Sequence, residues 1–245
     1  MKENITAILK YLLYTGILST TLPLVFFLLF KRNSKQKSLR VILLYICYCI
    51  LNEAISYHLQ TIKSELIFYL LYTFTILEYS FVCYFIYLII QPSITKTILP
   101  YVWIGFIIFE LVDLIFVNKG NGFDSFAIGI ECIIVFYLCI SYLFLELRRS
   151  NSLVLYSTFN FWVIITFLIY FSGTFFLYIL AESMGENVSF QKQYLVINAS
   201  FNILKNVLLS IALTMKLSDT VKQQKDTIPD LDDDLFISEN VNFPN

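Results

Sequence analysis

Twelve polar or ionisable side chains interrupt an otherwise apolar chain, and their spacing is the first thing that could do chemistry. Glu53 and Tyr57 are four residues apart, Glu110 and Asp113 three apart, and Asn198, Asn202 and Lys205 follow at intervals of four and three. On a helix each spacing puts the side chains on one face. The stripes are then a carboxylate with a phenol, a pair of carboxylates, and amides leading to an ammonium. Asn206 extends the last stripe, Asn52 and His58 flank the first, and Glu78 and Glu131 stand as single acids. Such groups can bind a ligand or pass a proton. They can equally glue helices together through an ion pair and hydrogen bonds. The candidate ligand- or proton-binding set is Glu53, Tyr57, Glu78, Glu110, Asp113, Glu131, Asn198, Asn202 and Lys205.

Catalysis lacks its parts. The chain has a single histidine, which excludes zinc proteases of the HExxH type and hydrolases with several histidine ligands. His58 lies five residues from Glu53, about 140° around a helix, so the two do not converge on one metal; it reads as an interfacial residue. Ser56 has His58 nearby but no GxSxG-like turn. The five cysteines, at 47, 49, 83, 132 and 139, lie inside apolar runs without a CxxC pair, so neither a disulfide framework nor a zinc site is implied. No enzyme activity, metal or cofactor is expected. A lysine late in the chain with an upstream glutamate has the ingredients of a retinal-binding pair. Phe201, four residues before Lys205, stands where microbial rhodopsins carry an aspartate, and their third-span pattern is missing.

The elements that must position these residues follow from composition. Of 245 residues, 58% are hydrophobic, 18% aromatic and 14% charged, and the mean hydropathy is +0.73. Soluble domains carry about 25% charged residues, so a solvated surface could not cover this chain. A net charge of −1 supplies no field to recruit nucleic acid; membrane lipids are the expected surroundings.

A helix needs about 20 apolar residues to cross the hydrocarbon layer. Seven runs qualify: 6–30, 39–60, 64–90, 97–118, 123–147, 152–181 and 191–216. The first has a nearly neutral start, excessive length and no small-residue cleavage site, so it reads as a span rather than a leader. Pro23 lies inside it, and Pro100 falls in the first turn of the fourth span, where proline is tolerated. Basic residues in the junctions divide unevenly. Eleven (Lys31, Arg32, Lys35, Lys37, Arg40, Lys96, Arg148, Arg149, Lys216, Lys222 and Lys225) fall on one side, against Lys2, Lys63, Lys119 and Lys192 on the other. The positive-inside rule then puts the N-terminus out and the C-terminus in.

With that orientation Glu53, Glu110, Asp113 and Glu131 fall in the outer half of the membrane, and Glu78 and Lys205 near its midplane. A charge at the bilayer centre costs roughly 2.5–3.5 kcal/mol on insertion scales, so these groups turn inward. The simplest packing gathers all the stripes around one outward-facing cavity. Lys205 is expected to pair with Glu78 or Glu53, and some of the remaining carboxyls to carry a proton. Residues 217–245 change character: acids surround Leu231, Leu235, Phe236 and Ile237. This tail reads as a disordered, solubilising end, or as a docking peptide that orders on a cytoplasmic partner.

Four stretches, FTILEYSFVCYFIY (74–87), FDSFAIGIE (123–131), FWVIITFLIYFSGTFFLYILAES (161–183) and INASFNILKNVLLSIAL (197–213), resemble a widespread, uncharacterised family of small bacterial seven-span proteins of about this length. The resemblance covers most of spans three to seven and is weak in the first span and the tail. Members of that family often lie near genes for two-component sensor kinases, so the resemblance implies a sensory or accessory role. It brings no catalytic or ligand residues with it, although Glu78, Glu131, Asn202 and Lys205 lie in the matching stretches.

The expectation is an all-α polytopic membrane protein: a seven-transmembrane-helix bundle over 1–216, N-terminus out and C-terminus in, with a polar and acidic cytoplasmic tail over 217–245. Its expected place is the bacterial inner membrane, since helical spans suit that membrane and barrels the outer one. The expected role is sensory or signalling, with a cytoplasmic sensor kinase or other partner reached through the tail. A small transporter or proton-coupled carrier, and a structural or assembly subunit, are the alternatives.

Overall fold

The structure is a computed structural model that describes residues 11–12, 14–30, 36–62, 66–117, 125–148, 156–184 and 188–216. The tail, 217–245, and the outermost parts of the first and sixth runs lie outside the described residues. The helices are α1 (Leu22–Leu29, preceded by helical turns over 14–19), α2 (Lys37–Thr61), α3 (Leu66–Ile89), α4 (Ile94–Val112, ending in a π-helical stretch Asp113–Val117), α5 (Ser125–Leu147), α6 (Phe159–Met184) and α7 (Val188–Thr214). Among the described residues six helices are long and apolar enough to cross a membrane, and the segment Tyr14–Leu29 is a shorter apolar one. Their outward faces are apolar: Tyr101, Ile104 and Ile108 of α4 are each more than half exposed. Hydrocarbon accommodates such a surface, and helices satisfy every backbone group there internally. The protein is a multi-pass helical membrane protein.

Pro23 shapes the first segment. Its ring would clash with the Ser19 carbonyl in a continuous helix, and the helix breaks at Thr20 and Thr21 before resuming at Leu22. Hydroxyls of the break meet the preceding carbonyls: Ser19 Oγ donates to Gly16 O at 2.7 Å, Thr20 Oγ1 to Ile17 O at 2.7 Å and Thr21 Oγ1 to Leu18 O at 2.8 Å. Local side chains thus cover groups that lipid could not. Pro100 differs from expectation. Ser93 caps α4 by accepting from Lys96 N at 3.3 Å, so the helix starts earlier and Pro100 lies inside it rather than in its first turn. The sixth span starts later than its apolar run because Tyr156–Thr158 form a turn and an isolated bridge to Lys216.

Packing order decides which side chains can meet. α2 and α3 run antiparallel, with Tyr48 stacked on Phe74 at 5.9 Å and Tyr45 bonded to Glu78. α6 and α7 also run antiparallel; at one end Phe159 N donates to Lys216 O at 2.8 Å and Lys216 N to Ser157 O at 3.1 Å. α1 lies parallel to α7: Gly16 faces Ala199, and Asn206 Nδ2 donates to Ser19 Oγ at 2.9 Å. α5 packs mainly on α6, and α3 joins α5. The result is a ring of α1, α2, α3, α5, α6 and α7. α4 sits outside it against α3 and α5 and is the least buried of the long helices.

Candidate functional site

Lys205 is near the middle of α7 and points into the ring. Its Nζ lies 3.3 Å from Glu78 Oε1 on α3, with both side chains at most 5% exposed. Tyr45 of α2 completes a closed triangle: its hydroxyl donates to the same Glu78 oxygen at 2.6 Å and accepts from Lys205 Nζ at 3.0 Å. The ammonium also stands 4.0 Å from the centre of the Tyr170 ring on α6. Four helices therefore meet on one charge. Desolvating two ions costs several kcal/mol each, and only additional hydrogen bonds and good geometry repay it; the phenol and the ring face supply them here.

On one side of this triangle the core is closed. The Tyr45 ring meets Phe167 edge-on at 5.7 Å, Phe167 meets Phe85 at 6.4 Å, and Phe85 meets Phe159 at 6.3 Å. These side chains and Ile86 are fully buried. On the other side, toward the end where α3, α5 and α7 begin, a cavity of about 320 Å³ opens between the six ring helices. That volume falls in the range of small-molecule sites.

Seven of the nine sequence candidates line this cavity: Glu53, Tyr57, Glu78, Glu131, Asn198, Asn202 and Lys205. Glu78 and Lys205 form its floor. Glu53 is within electrostatic reach of the Lys205 ammonium, Glu131 is only 2% exposed, and Tyr57 is more than half exposed at the rim. Glu110 and Asp113 do not join them. Both are buried, but α4 carries them behind α3 and α5, outside the ring. The expectation of one cavity holding every stripe is corrected in that respect: spacing three apart puts two acids on one face without saying what that face meets. His58 is exposed at the end of α2, as an interfacial residue would be.

The structure adds Tyr45, Tyr170 and Ser19 to the groups that spacing marks, and it gives Asn52 and Asn206 their places. Tyr45 and Tyr170 hold the charged pair, Ser19 receives Asn206, and Asn52 lines the cavity while 8% exposed. The Oδ1 atoms of Asn52 and Asn198 are buried with no hydrogen-bond partner among the described residues. An unsatisfied buried acceptor costs about 1–3 kcal/mol. Among the described residues no group of three His, Cys, Asp or Glu side chains is placed to hold a metal ion. No protein-family model, curated protein or solved structure matches the chain.

Proposed function

We propose that this chain is a small seven-span sensory or signalling protein of the bacterial cytoplasmic membrane, N-terminus out and C-terminus in. A ligand or proton entering the cavity from outside shifts helix packing between two states. α7 and the 217–245 tail report the shift to a cytoplasmic partner such as a sensor kinase. The observation that carries this reading is the one-sided cavity, whose floor is a lysine of the helix that leads directly into the tail. Parallel alignment of α1 with α7 supports an odd number of crossings. The reading assigns no catalytic step.

The experiment is affinity capture from mild detergent, with the full chain and with a chain truncated after residue 216. The reading expects a signalling protein that co-purifies only when the tail is present, in an amount altered by Glu131→Gln. Capture independent of both changes would count against it.

A second reading, a proton-coupled carrier, is favoured by the break in α1 beside Asn206, since carriers place interrupted helices at their sites. Substrate accumulation in sealed vesicles, lost in Glu78→Gln or Glu131→Gln, would support the carrier. If neutralising each acid changed only the amount of folded protein, a structural subunit would remain.

A further inference from the structure

Among its described lining residues the cavity holds more carboxyl groups than cations. Asn52 and Glu53 on α2, Glu131 on α5 and Asn198 on α7 bring two carboxyl groups and two side-chain amides to it from three helices. Asn52 is more than nine-tenths buried, and its Oδ1, like that of Asn198, meets no donor among the described residues. Lys205 is the cation among the lining residues. An ammonium group has three N–H donors, and those of Lys205 are directed at Tyr45 Oη, Glu78 Oε1 and the face of Tyr170.

We propose that the cavity binds a small organic ammonium ion with N–H donors on its cationic head and an apolar or aromatic body. The head meets Asn52, Glu53, Glu131 and Asn198; the body rests against Phe74 and Phe171, which also line the cavity. Aromatic walls suit both a stacked ring and a neighbouring cation. Anions and zwitterions are disfavoured because Glu53 and Glu131 line the same space and the Lys205 ammonium is already committed to Glu78, Tyr45 and Tyr170. A bare metal ion is disfavoured by a volume of about 320 Å³ and by the absence of a three-ligand cluster among the described residues. A quaternary ammonium matches the charge but has no N–H to donate to the carboxyl groups and amides.

This inference rests on the sensory reading for its consequence, and its test is separate. The full chain, purified in detergent, is titrated calorimetrically with phenethylammonium, its trimethylated quaternary analogue, phenylalanine and 3-phenylpropionate. Phenethylammonium is expected to bind saturably. The quaternary analogue and phenylalanine should each bind at least about tenfold more weakly, a difference of about 1.4 kcal/mol, and the acid not at all. Asn52→Leu removes an unsatisfied acceptor, so it should raise the unfolding midpoint of the ligand-free protein while weakening phenethylammonium at least about tenfold. A merely structural asparagine would lower the midpoint instead. Equal binding of the quaternary analogue, binding of the acid, or no binding of any amine would overturn the ammonium assignment. Tail-dependent capture would survive that outcome if the sensory reading holds. Amine binding without tail dependence would sink the sensory reading alone.

Discussion

Lys205 holds its ammonium 4.0 Å from the centre of the Tyr170 ring, across the seam between α7 and α6. The same nitrogen faces Glu78 and Tyr45 from the α3 and α2 side. A displacement of α7 therefore cannot leave this charge's partners unchanged, and any occupant of the cavity above it rests on that junction. This links a polar site at one end of the bundle to the helix end that Phe159 and Lys216 tie together at the other.

Removing one member of the pair is expected to cost more than removing both. Lys205→Met or Glu78→Leu leaves a buried group without its counter-charge and should lower stability by about 3–5 kcal/mol. Combining Glu78→Leu with Lys205→Met should recover most of that loss. Unfolding in a detergent–denaturant series measures all three, and simple additivity would contradict the pairing.

The α6–α7 seam has a tighter point at Gly173. A Cβ there would collide with the Phe201 ring, so Gly173→Ala should destabilise by about 1–3 kcal/mol through overpacking. Adding Phe201→Leu should relieve much of it. At Gly16 the nearest atom to such a Cβ is that of Ala199, at 4.0 Å, and Gly16→Ala should leave the unfolding midpoint unchanged or raised.

Much of the fold was legible before the structure because it depends on hydropathy alone. Six of the seven apolar runs emerged as long helices, and the pairing of Lys205 with Glu78 was one of two options that depth in the membrane allowed. Packing order was not legible. Lipid is as apolar as a helix–helix core, so periodicity on α4 cannot distinguish a face buried in the ring from a face turned to acyl chains. Spacing consequently groups Glu110 and Asp113 with the cavity residues, whereas α4 holds them outside the ring. Tyr45 and Tyr170 are not legible for a related reason: among 17 tyrosines, nothing in spacing marks the two that touch the charge. Within the first segment Pro23 forces a break that a hydropathy window does not register; the start of that run lies outside the described residues.

The position of α4 makes its acids separable from the cavity. Glu110→Gln and Asp113→Asn should alter folded yield or unfolding midpoint without changing the capture of a tail-dependent partner. Glu53→Gln and Glu131→Gln should alter that capture. Equal effects from all four would restore the single-cavity arrangement that the ring excludes.

Where α1 meets α7, Asn206→Leu or Ser19→Ala should each cost about 1 kcal/mol for the lost buried hydrogen bond, more where a polar partner is left unsatisfied. The double variant should cost less than the sum of the two, as groups sharing one interaction do. Thermal unfolding of the three variants checks it.

The most direct measurement is thiol accessibility in oriented membrane vesicles, with the five native cysteines replaced by alanine and single cysteines introduced at Ser56, Asn202, Phe85 or Ile108. A charged, impermeant thiol reagent should modify Ser56→Cys and Asn202→Cys from the N-terminal side only. It should leave Phe85→Cys in the closed core and Ile108→Cys on the lipid face untouched from either side. Asn202→Cys inert from both sides, or modified as readily from the tail side, would contradict a one-sided water-filled cavity floored by Lys205 and Glu78.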